Sequence, residues 1–178
     1  MRKTTNLIFK GLHVVAWIIF VGLCIEAGAL IVNFFFSLYK PEVLQNLYQK
    51  LNLAQMYEAS KWAFYCTYSL ILSIAILKAY LFYIVIMLML RMDLSEPFTT
   101  FVSKYITQIS YITLSVGLLS YIAQRLTKEL MHRGFATDSL QHFWTDSQAF
   151  ILMGAVIYII ATIFRKGVEI QNENDLTV

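Results

Sequence analysis

The chain has 178 residues, 14 basic and 11 acidic side chains, a net charge of +3, and 58% hydrophobic against 14% charged residues. A water-soluble domain carries about 25% charged and about 45–50% apolar residues, so water alone cannot solvate this surface and much of it must face lipid. With no basic run and no glycine-rich phosphate loop, the sequence argues against direct nucleic-acid binding and against P-loop nucleotide chemistry.

In chain order, four apolar runs meet the requirement of about 20 residues for a spanning helix. The first covers about residues 10–36. The start MRKTTNLIFKGLHVVAWIIFVGL reads as a retained span rather than a cleaved leader, because Glu26 sits where an apolar region should end and LIVNFFF continues the run. Residues 37–61 form an outer loop in which Val43, Leu44, Leu47, Tyr48 and Leu51 recur at helical spacing, predicting an amphipathic helix on the bilayer or the bundle mouth. The second span covers 62–90 and is followed by a short loop, 91–103. There Pro97 punctuates the chain, and Ser95 or Thr99 is placed to cap the next helix.

The third span covers 104–124. An outer loop, 125–142, follows, in which the helix extends into water until Gly134 stops it. The fourth span is short: Phe150 to Phe164 would cover only about 22 Å at 1.5 Å per residue. It is therefore expected to begin near Phe143 and Trp144, giving 143–164, with a tail at 165–178. Cys24 and Cys66 read as small buried hydrophobes with no disulfide or zinc spacing.

Orientation follows from Lys and Arg beside the spans. Arg2, Lys3, Lys10, Arg91, Lys104, Arg165 and Lys166 are packed against helix ends on one side. Lys40, Lys50, Lys61, Arg125, Lys128 and Arg133 lie in longer segments on the other. The expected fold is all-α, an integral membrane four-helix bundle as a single domain with both termini cytoplasmic.

Two ionisable groups lie deep within spans. Glu26 is about 21 Å from the cytoplasmic end of the first helix and Lys78 about 18 Å from that of the second, so antiparallel neighbours would bring them to one level. A lone charge at the bilayer centre costs about 2.5–3.5 kcal/mol on insertion scales. Two ions at 4 Å gain about 4 kcal/mol at an effective dielectric of 20, so a pair would offset its own burial. Three arrangements fit: a structural Glu26–Lys78 clamp, a neutral Glu26 bonded to Asn33 or to a hydroxyl of the third span, and a proton or ion relay. Gly22, Glu26, Ala29 and Asn33 form one small, polar stripe suited to helix contact. Thr107, Ser110, Thr113, Gly117, Ser120 and Gln124 form another on the third span. Gly154, Tyr158 and Thr162 supply a third stripe on the fourth span. In the second outer loop His132, His142 and Asp146 are weak metal candidates whose spacing matches no strong pattern; no metal, cofactor or enzymatic nucleophile is expected.

Two segments, RMDLSEPFTTFVSKY and IFRKGVEIQNENDLTV, resemble the bacterial membrane family catalogued as domain of unknown function 2975 (DUF2975). Family members often carry an asparagine and a basic cluster after Pro-Phe-Thr, where this chain has TFVSKY. The resemblance implies a small bacterial inner-membrane protein with no established activity, often encoded beside a small helix-turn-helix regulator. From the residues, Arg165 and Lys166 would anchor the fourth helix at the headgroups and Gly167 would let the chain turn. The tail, with Glu173, Asp175, Leu176 and Val178, would then dock near Arg91 and Lys104 or on a partner. The leading expectation is a non-enzymatic sensory or scaffolding component coupled to a cytoplasmic partner. The alternative is a transporter or channel subunit using Glu26 and Lys78, which four helices would support only as a homo-oligomer; a third reading is a membrane enzyme or metal-binding protein drawing on the His and Asp residues of the second outer loop.

Overall fold

The computed structural model describes residues 2–39, 51–93, 96–144 and 146–175. These form α1 (Arg2–Tyr39), a short α2 (Ala54–Ala59), α3 (Lys61–Arg91), α4 (Thr100–His132), a 3-10 helix (Asp138–Phe143) and α5 (Ser147–Asp175). There is no strand among the described residues, and four helices are long and apolar enough to cross a membrane. Val43, Leu44, Leu47, Tyr48, Ser95, Leu176 and Val178, as well as the Asp175 side chain, lie outside what the structure describes.

The four long helices pack in chain order, α1 on α3, α3 on α4 and α4 on α5, with α1 making no extensive contact with α4 or α5 among the described residues. Each pair is antiparallel. Leu30 meets Tyr68, Phe34 meets Tyr65 and Phe20 meets Tyr83 across α1 and α3. The Tyr68 hydroxyl, fully buried, donates to the Leu30 carbonyl at 2.8 Å. In a hydrocarbon surrounding, such an aromatic satisfies its one polar atom by reaching a neighbouring helix. Leu81 and Ile84 of α3 pack with Ile109 of α4 and Ile157 of α5 nearer the other end.

The end reached by α3's start is closed by buried side chains from the connections: Leu51, Leu53 and Met56 from one side, Leu140, Phe143 and Trp144 from the other. α4 stops there because Gly134 adopts a positive φ of 86°. The N–H of Phe135 then reaches back to the Leu130 carbonyl and that of Gly134 to Met131, which satisfies two carbonyls left over at the helix end. α5 differs from the expected fourth span at both ends. It starts at Ser147, after Phe143 and Trp144 have been used in the cap. It then runs without a break through Gly167 to Asp175, so no turn occurs at that glycine.

Candidate functional site

The α4–α5 pair is built for close approach. A Cβ added at Gly117 would lie 2.7 Å from the Ile151 backbone nitrogen, and one at Gly154 would lie 2.9 Å from that of Leu114. At these two positions backbone meets backbone and only glycine fits. Ser110, fully buried, donates to the Gly154 carbonyl at 3.0 Å. Thr113 and Ser120 are also buried on this side of α4, and Thr113 bonds its own helix at the Ile109 carbonyl. Gln124 ties α4 to the start of α5, donating to the Trp144 carbonyl and accepting from Ser147. Small residues let two rods share dispersion contacts that lipid chains would otherwise supply, and the hydrogen bonds add to this.

At the opposite end of this pair the two quoted motifs meet. Thr99 caps α4, its side chain accepting from the Val102 N–H at 3.2 Å, and Phe98 just before it lies against α5. The Phe98 ring is 5.3 Å from that of Phe164, and a Cβ at Gly167 would fall 2.6 Å from Phe98 Cδ1. Gly167 therefore makes room for an aromatic side chain from the preceding loop, while α5 keeps its helical backbone. The sequence reading of Gly167 as a turn fails because a glycine inside a helix can mark a close neighbour as readily as a change of direction.

Beyond this contact, α4 and α5 leave a groove of about 440 Å³ whose lining includes Thr100, Ser103, Lys104, Arg165, Glu169 and Asn172. Lys166 is bonded to Glu169 at 3.0 Å with both side chains well exposed, a pair worth little in stability. Arg91 lies 5.9 Å over the Phe101 ring, and Glu173 is exposed on the last turns of α5.

The structure does not bring Glu26 and Lys78 together. Among the described residues neither takes part in an ion pair, and Glu26 has no hydrogen-bond partner there. Lys78 instead sits 5.8 Å over the ring of Phe150 on α5. Axial rise fixed the height of the two groups but not their azimuth. At about 100° per residue, Lys78 stands about 80° around α3 from Tyr68 and about 140° from Tyr83, the residues that face α1. The expected stripe on α1 is not buried as a whole: Glu26, Ala29 and Asn33 are half-buried and Gly22 is exposed. A Cβ added at Gly22 would meet nothing within 4 Å, whereas Ala16, Ala27 and Leu30 are buried apolar positions of α1. Asn33 is half-buried, and His132, His142 and Asp146 are exposed at the far end without forming a three-ligand group among the described residues.

Sequence reasoning missed Phe98 and Phe164 as contact residues. The available signal was an aromatic beside proline in a short loop, together with an otherwise unfavourable glycine within helical reach.

A family model described as protein of unknown function (DUF2975) matches residues 46–178, a stretch that takes in both motifs, α3, α4 and α5. No curated protein and no solved structure matches the chain.

Proposed function

The chain belongs to the DUF2975 family, and from that premise we propose that it is a non-enzymatic, multi-pass component of the bacterial inner membrane. It would scaffold or relay a signal to a cytoplasmic partner through the polar end of the α4–α5 pair. The single observation carrying this reading is the seat of Phe98 on Gly167 and Phe164. It joins the 91–99 connection to a helix that passes unbroken from an apolar segment into a polar extension. A helix of 29 residues is about 43 Å long, so a shift of its membrane half moves the extension with it.

A cytoplasmic position for this end is supported by Arg91, Lys104, Arg165 and Lys166, which all border it. The exposed residues Glu169, Asn172 and Glu173 would then offer a partner an acidic, hydrogen-bonding face. The family resemblance points to a small helix-turn-helix regulator as that partner. The test is co-expression of the full chain with the neighbouring regulator, followed by solubilisation and affinity purification. Retention that is lost on deleting residues 169–178 and weakened by Phe98→Ala supports the reading. Absence of retention, or retention indifferent to the deletion, overturns it.

A further inference from the structure

We infer that the groove between the start of α4 and the end of α5 holds the phosphate of an anionic phospholipid headgroup. Two cations from different helices line it, Lys104 and Arg165, and neither has an ion-pair or hydrogen-bond partner among the described residues. Ser103 also lines the groove. It is only 8% exposed, and its hydroxyl has no partner among the described residues. An oxyanion in the groove would accept from this hydroxyl, a charge-assisted hydrogen bond.

The groove also adjoins the first turns of a 33-residue helix, whose amino end carries partial positive charge and favours an anion. Glu169 is the acidic lining residue, and its carboxylate lies 3.0 Å from Lys166 Nζ, so a third cation offsets its charge. A phosphate ester could come from lipid or from solution. The level of the groove favours lipid. Lys104 precedes the apolar run of α4, and Arg165 directly follows that of α5, so both cations stand where headgroups begin. This inference does not depend on a protein partner, because lipid retention is read on the purified chain.

The experiment is a lipid titration of the purified full chain followed by native mass spectrometry, comparing phosphatidylglycerol with phosphatidylcholine. Phosphatidylglycerol should be retained preferentially. Lys104→Gln and Arg165→Gln should each weaken it about fivefold, and the double variant about thirtyfold. Lys61→Gln with Lys128→Gln, which removes the same charge from the opposite end, should leave retention unchanged. Ser103→Ala keeps every charge and should weaken retention about fivefold; it carries the test if circular dichroism shows the double variant misfolded. Equal retention of the two lipids, or full retention by the double variant or by Ser103→Ala, would overturn the assignment. Binding of inorganic phosphate alone at millimolar concentration, with displacement of the lipid, would overturn the lipid source and assign the groove to a soluble phosphate ester.

Discussion

Replacing Gly167 by alanine sets two effects of opposite sign against each other. Alanine in a helix interior is favoured over glycine by about 1 kcal/mol. Against this, the new methyl would lie 2.6 Å from Phe98 Cδ1 and 2.8 Å from Cε1, well inside the normal carbon–carbon separation of about 3.5–4.0 Å. Overpacking of this kind costs about 1–3 kcal/mol. Phe98 is 42% exposed and can swing outward, which places the cost toward the lower part of that range. Gly167→Ala should therefore destabilise the wild-type chain by about 0–2 kcal/mol. In a Phe98→Ala background the clash is gone and only propensity remains, so the same substitution should stabilise by about 1 kcal/mol. The coupling energy is about 1–3 kcal/mol. The assay is reversible unfolding of the four proteins of the cycle in micelles, followed by circular dichroism. Stabilisation by Gly167→Ala in both backgrounds, or coupling below about 0.5 kcal/mol, would refute the Phe98 seat.

Glu26→Gln and Lys78→Gln should be additive within about 0.5 kcal/mol in the same unfolding assay, since the two groups form no ion pair; strong coupling would mean they meet. Tyr68→Phe removes the bond to the Leu30 carbonyl and should cost about 0.6 kcal/mol, the average for hydrogen bonds between membrane helices, and no more than about 1.7 kcal/mol. Gly154→Leu forces a branched side chain into the Leu114 backbone and should prevent α4 and α5 from associating, read as loss of folded protein after solubilisation. Thr99→Ala deletes the cap on α4 and should cost about 1 kcal/mol, measured as a lowered unfolding midpoint.

The four spans were legible because lipid imposes a composition that single residues cannot disguise. The apolar run 62–90 nearly coincides with α3, whereas α4 extends beyond 104–124 at both ends. Which way each helix faces was legible only where polarity varies around it. On α4, Ser110, Thr113, Gly117 and Ser120 stand out from apolar neighbours, and all four are buried. On α1 nearly every side is apolar, so the face that meets α3 carries no mark, and the conspicuous Gly22 is exposed. The site at the polar end had the same difficulty in another form. Its two halves are separated by the whole length of α4, and only folding shows that Phe98 needs the space that Gly167 leaves.

The most direct test of the central claim is cysteine pairing in native membranes. In a chain freed of Cys24 and Cys66, Phe98→Cys and Gly167→Cys should be bridged by a short, membrane-impermeant bifunctional thiol reagent in inverted vesicles and not in intact cells. Failure to bridge in inverted vesicles, or bridging from outside the intact cell, would contradict the account of a loop and helix extension joined on the cytoplasmic face.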